Sequence, residues 1–176
     1  MSLVNLTYEN IIEIASIANQ RQLNKRQNNV KEQAFKPEIN KGFKLDFFGL
    51  LGEFAVSKIF NIEIDKQIYL GGDKGYDLLI HGKKIDVKTT TVQNVNKTSL
   101  IVKPSIHCRK TSHFYVLCRI NDPLQIEILG CMSWGKFDKQ KKIRDFGTSE
   151  AYCVPANELS KIQMLSEYFS NLRERT

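Results

Sequence analysis

The stretch Gly75-Tyr76-Asp77-Leu78-Leu79-Ile80-His81-Gly82-Lys83-Lys84-Ile85-Asp86-Val87-Lys88-Thr89-Thr90 limits what this chain can fold into more than any other segment. Two short apolar runs flank a polar turn, and the glycine-first pair Gly82-Lys83 suits a two-residue type II′ hairpin. That turn pairs His81 with Lys84, Leu79 with Asp86 and Asp77 with Lys88. Side chains alternate with period two along a strand. Asp77, Asp86 and Lys88 therefore share one face of the predicted hairpin, and Ile85 and Val87 occupy the other. Asp77 stands across from Lys88, with Asp86 a diagonal neighbour.

The rest of the chain supplies layers to cover such a hairpin. Residues 8 to about 28 lack Gly and Pro, and Ile11, Ile12, Ile14, Ala15, Ile17 and Ala18 recur as in an amphipathic helix. Residues 29–42 are polar and read as a loop or arm. Residues 44–60 read as a second, more apolar helix carrying Leu50, Leu51, Phe54, Val56 and Phe60. Short strands are expected at 62–64, 67–70, 76–81, 84–90, 100–102, 114–120 and 125–132, with turns at Gly71-Gly72, Gly82, Pro104 and Asp122-Pro123. A short helix at 133–138, a strand at 152–154 and a closing helix from about 156 to 173 complete the order. The pattern predicts an α/β (α+β) fold with helices flanking a mixed central sheet. It reads as one domain over 1–176: an N-terminal helix and basic arm (1–43), a core (44–132), and a C-terminal strand and helix (133–176).

At 176 residues the chain is long enough to bury a sizeable core. No apolar run approaches the roughly 20 residues of a membrane span, and the amino terminus lacks a signal-peptide pattern. A cytoplasmic location without membrane association is therefore expected. Cys108, Cys118, Cys131 and Cys153 form no CxxC pair and no zinc spacing, and read as reduced thiols. The formal net charge is +7, and it is concentrated. Seven basic residues between Arg21 and Lys44 face only Glu32 and Glu38. Four lie between Lys103 and Arg119 with no acid, and five lie between Lys136 and Arg144 against Asp138. Such blocks suit phosphate contact or a solvated surface.

Two carboxylates and a lysine on one strand face conflict with burial, because like charges repel and unpaired buried charge is expensive. A divalent cation resolves the conflict. Mg²⁺ takes hard oxygens, commonly one or two carboxylates plus water and phosphate oxygens. An exposed sheet face with an Asp77–Lys88 ion pair accounts for the same residues. Glu53 is the second clue. It lies inside the apolar helix with Leu50 and Val56 on its own face, and so points toward the core or the sheet. A Glu at the helix margin is the alternative. Gly71-Gly72-Asp73-Lys74-Gly75 lacks the phosphate-loop and dinucleotide spacings and reads as a loop leading to Asp77. His107, Arg109, Lys110 and His113 precede a strong strand and read as phosphate contacts or solvated surface. Phe114, Tyr115 and Trp134 read as core.

The helix Glu53, the hairpin Asp77 and the strand Asp86-Val87-Lys88 together resemble the PD-(D/E)XK nuclease superfamily. Gly75-Tyr76-Asp77 stands where the family's Pro-Asp is expected, and Asp86 takes the alternative acidic position. The resemblance covers about residues 45–90. It implies a restriction-endonuclease-like fold and a metal-dependent DNA endonuclease. It also implies Mg²⁺ (or Mn²⁺) held by Asp77, Asp86 and the Val87 backbone carbonyl, with Glu53 supporting a metal-bound water or second ion and Lys88 positioning the attacking water. DNA is the implied partner, RNA remains open, and a homodimer is an expectation of the same resemblance. Lys74, Thr90, Gln93, Lys103, Arg109 and Lys110 are the candidate nucleic-acid contacts. A non-catalytic nucleic-acid-binding protein and a protein-interaction subunit are the rival readings.

Overall fold

The computed structural model describes residues 2–28, 41–66, 75–147 and 149–173. The expected arm at 29–40, the expected strand at 67–70 and Lys74 lie outside these residues. Helix α1 (Tyr8–Gln27) starts where Thr7 and Asn10 cap each other: the Asn10 amide donates to Thr7 Oγ1 at 3.3 Å and the Thr7 amide to Asn10 Oδ1 at 3.1 Å. Helix α2 (Lys41–Phe60) begins three residues earlier than its apolar pattern suggests.

The strands are β1 (Ser2–Asn5), β2 (Leu78–Ile80), β3 (Lys83–Thr90), β4 (Ser99–Val102), β5 (Phe114–Asp122), β6 (Gln125–Ser133), β7 (Lys142–Asp145) and β8 (Glu150–Pro155). Short helices α3 (Pro104–His107) and α4 (Trp134–Gln140) and the closing helix α5 (Ile162–Arg173) complete the fold. Five strands form a mixed sheet in the order β1-β6-β5-β3-β2, in which β3 and β5 are parallel and the other pairs antiparallel. Strands β4, β8 and β7 form a separate three-stranded antiparallel sheet.

Alternation along the central strands divides the interior in two. Ile85, Val87, Val116 and Cys118 join α1, α2 and α5 in one apolar cluster through Ile14, Ile17, Leu50, Leu51, Leu165 and Phe169. Tyr115 and Leu117 point the other way and pack with Leu100, Val102, Phe137 and Val154. Helices thus cover one face, and the small sheet with α4 covers the other. The expectation of a mixed α/β fold with a mixed sheet flanked by helices holds at that level.

Three local readings are corrected. Residues 62–66 form no strand; Ile64 is buried from irregular backbone. Strands β1 and β7 have no counterpart in the expected order. The closing helix starts at Ile162, because residues 156–158 form a separate single turn.

Candidate active site

The hairpin turn falls one residue earlier than its sequence suggests. His81 (φ 45°) and Gly82 (φ 72°) both adopt left-handed backbone, and Ile80 pairs with Lys83. Two consecutive positive φ values define a type I′ turn, which matches the right-handed strand twist as a type II′ turn also would. The register moves by two positions: Leu78 opposes Ile85, so Asp77 comes to the level of Asp86 rather than Lys88. A shift of two preserves the faces. Leu78, Ile80, Ile85 and Val87 remain together in the helix-side cluster.

Asp77 sits just before β2 and closes the hairpin ladder. Its amide donates to the Ile85 carbonyl at 2.9 Å, and its Oδ2 accepts the Val87 amide at 2.6 Å. The carboxylate thus takes the place of a strand carbonyl at the end of the pairing. Asp86 lies beside Tyr115 of the parallel strand β5 and is 3% exposed. Lys88 Nζ donates to Asp86 Oδ1 at 2.5 Å. Lys88 pairs in register with Leu117, at the β5–β6 bulge where pairing jumps from Leu117–Gly130 to Cys118–Ile128. Such bulges re-aim side chains beside them.

Glu53 enters from α2 and is 6% exposed. Its helix can approach the sheet closely because Gly52 faces it: a Cβ there would lie 2.4 Å from Thr89 Cγ2 and 3.2 Å from Val87 Cγ1. Arg21 of α1 pairs with Glu53, Nη1 to Oε1, at 3.5 Å. The proximity of the acids is visible in their electrostatics. Burial pushes the Asp77 carboxyl well above the usual carboxylate range, and the charges of Glu53 and Asp86 push it further. Lys88 and the Val87 amide act in the opposite direction. Burial also lowers the Lys103 ammonium, with the Lys88 charge adding to it, so Lys103 belongs to the same neighbourhood.

No protein-family model, curated protein or solved structure matches this chain.

The structure therefore brings Glu53, Asp77, Asp86, Lys88 and Lys103 within electrostatic reach of one another. Among the described residues, no three His, Cys, Asp or Glu side chains are close enough together to form a metal-binding group. Thr90 Oγ1 accepts from the Val92 amide at 3.2 Å, and Gln93 Nε2 donates to the Ile120 carbonyl at 3.2 Å; both pin the loop that leaves β3. Arg109 and Lys110 are exposed beyond α3, with Lys110 Nζ 5.1 Å from the Trp134 ring centre. His107 is buried, and His113 is exposed and bonded to Lys84 at the start of β3, its Nδ1 accepting the Lys84 amide at 3.0 Å. All four cysteines are free thiols; Cys108 is exposed and the other three are buried. No described helix is long and apolar enough to cross a membrane.

Two residues beside the site carry no local sequence signal. Arg21 reaches Glu53 across 32 positions of chain, and Tyr115 meets Asp86 only through parallel pairing of β3 with β5. Both contacts follow from tertiary packing rather than from spacing.

Proposed function

We propose that this protein is a metal-dependent DNA endonuclease of the PD-(D/E)XK type with a restriction-endonuclease-like core, hydrolysing phosphodiester bonds at the end of the β2–β3 hairpin. The observation that carries this reading is the crowding of Glu53 and Asp86 about Asp77, with Lys88 beside them, in which Asp77 is strained toward its neutral form by burial and by two neighbouring acids. A crowded acidic cluster beside a lysine calls for a cation.

The donor chemistry fits Mg²⁺ or Mn²⁺. Two carboxylates suffice when waters and phosphate oxygens complete the shell, so the absence of a three-acid group among the described residues does not conflict with it. Asp77, Asp86 and the Val87 carbonyl would hold the ion, with Glu53 behind them. A bound ion supplies charge neutralisation at the phosphate and a more acidic water. The chain's own residues do the positioning. Asp77 is fixed by the Val87 amide, and Asp86 holds the Lys88 ammonium. Lys88 then orients water or steadies phosphate charge, and Arg21 holds Glu53.

The test is cleavage of plasmid, linear duplex, single-stranded and four-way-junction DNA with Mg²⁺ or Mn²⁺, with EDTA, and with Lys88→Ala. Loss of one such charged group lowers the rate by about 10²–10³-fold where it stabilises the transition state. The expected result is metal-dependent cleavage that the variant loses. The Lys88–Asp86 contact, which pairs the lysine within the protein, favours one second reading, a non-catalytic nucleic-acid-binding protein. DNA binding without cleavage of any substrate by wild type would establish it.

A further inference from the structure

The basic segment running through α4 into β7 is not used by the site described above. Lys136 and Lys139 are three apart on α4 and so are neighbours on its surface. Lys142 and Arg144 alternate on β7 and share one of its faces. All four are exposed, and every residue of β7 is exposed. Among the described residues, Lys141 alone of the five cations from 136 to 144 is in an ion pair; it binds Asp138, and the segment's other acid, Asp145, ends β7. Lys110, stacked over Trp134 at the start of α4, extends the same charge.

This segment is linked to the candidate site by side-chain contacts. His107 of α3 lies between two partners, its Nε2 2.9 Å from Asp138 Oδ1 on α4 and its Nδ1 3.0 Å from the Tyr115 hydroxyl on β5. Its ring stacks on Trp134 at 4.8 Å and 10°. Tyr115 is the register partner of Asp86. A short chain of contacts, buried at His107 and Tyr115 and open at Asp138, thus joins the cationic segment to the strand carrying Asp86 and Lys88.

We propose that the α4–β7 segment is the surface that docks the phosphate backbone of a nucleic acid, with Lys136, Lys139, Lys142 and Arg144 as its contacts. The proposal rests on the nuclease reading only for the choice of polyanion. Edge protection gives a competing account of Lys142 and Arg144, since β7 is an outer strand and cations keep such strands from pairing with other chains. It does not account for Lys136 and Lys139, which lie on a helix and continue the same charge. Four cations, with one intervening acid already neutralised and a second only at the far end of β7, match a repeating row of phosphates. They do not match a protein surface of mixed sign.

The test measures binding of a short fluorescein-labelled DNA duplex and of a single strand in EDTA, where cleavage cannot occur, across a salt titration. Wild type is compared with Lys136→Glu/Lys139→Glu, with Lys142→Glu/Arg144→Glu, with the milder Lys142→Ala/Arg144→Ala, and with Lys58→Glu/Lys161→Glu. The last pair is exposed on the helical side and changes net charge equally. Circular dichroism confirms folding of each. Each segment variant should weaken DNA binding about tenfold or more. The slope of log Kd against log salt should fall by about 2, because each phosphate left without its cation lowers it by roughly 0.9. The control should change much less. Equal losses in segment and control variants would overturn the proposal. So would no DNA binding by wild type. Binding that behaves as expected in a protein that cleaves nothing would leave this proposal standing and remove the nuclease reading.

Discussion

Asp77 shows how the site opposes the fold at the level of one residue. Its backbone and Oδ2 are useful to the hairpin, but its charge is not: burial, Glu53 and Asp86 all favour the neutral acid. Asn keeps an oxygen for the Val87 amide and removes the charge. Asp77→Asn is therefore expected to raise the melting temperature at neutral pH in EDTA by about 2–4 °C, the equivalent of roughly 1 kcal/mol for a chain of this size. The same substitution should abolish cleavage. Mg²⁺ should raise the wild-type melting temperature and leave that of the variant nearly unchanged, which differential scanning calorimetry reads directly. A lower melting temperature for the variant in EDTA would show that the acids are not in conflict. The chemistry of this residue was legible in the sequence because Asp86 and Lys88, two apart, face away from Ile85 and Val87, and a two-residue hairpin turn brings Asp77 to the same face. Its partner was not. The sequence signal at the turn, Gly82, is compatible with two adjacent turn positions, and the choice between them depends on whether His81 accepts positive φ. That moved Asp77 from the level of Lys88 to that of Asp86.

Between elements, the contact that decides the site is α2 on β3. Glu53 reaches the hairpin because Gly52, one residue before it, lets the helix touch Thr89 and Val87. Gly52→Ala inserts a methyl 2.4 Å from Thr89 Cγ2. Overpacking of this kind costs about 1–3 kcal/mol, measurable by urea unfolding. Thr89→Ser removes the colliding methyl and keeps the hydroxyl, so the double variant should recover most of the loss, a coupling expected for residues that touch. Additive losses would place the strain elsewhere. Elements with long periodic patterns were readable in advance: α1, α2, β3, β5 and β6 fall close to their expected positions. Short elements were not. Ser2–Asn5 is a strand because β6 offers it an edge, Ser2 opposite Ile128 and Asn5 opposite Gln125, and four residues carry too little pattern of their own. Lys142–Asp145 is polar throughout except for Ile143 and becomes β7 only by pairing with β8. Residues 62–64 show the converse: apolar alternation without a partner strand among the described residues stays irregular.

At the scale of the molecule, the central sheet separates two apolar clusters, and His107 is a polar bolt within the second. It lies among Trp134, Phe137, Tyr115 and Tyr152, with its two nitrogens bonded to Tyr115 and Asp138. Packing and hydrogen bonding can be separated by two substitutions. His107→Phe keeps an aromatic ring in the stack but leaves the buried Tyr115 hydroxyl without its partner, a loss of about 1–3 kcal/mol. His107→Ala also opens a cavity among the rings and should cost more, about 2–5 kcal/mol in all. Equal losses in urea unfolding would mean that the ring packing adds nothing, and no loss in His107→Phe would mean that the hydrogen bonds contribute nothing. Acid should reach the same junction from its exposed end. Hydrogen bonds from Lys141 and then His107 hold the Asp138 carboxyl down to about 2, against an ordinary 3.8. A carboxyl with a depressed folded-state value stabilises the fold above its ordinary value, and that contribution disappears as pH falls through the folded value. Wild type should therefore lose stability between about pH 4 and pH 2 more steeply than Asp138→Asn, which has no charge to lose. The near-ultraviolet signal of Trp134, stacked on His107, should report that loosening before the far-ultraviolet signal of the central sheet changes. Coincident loss of both signals would mean that the second layer does not open separately from the first.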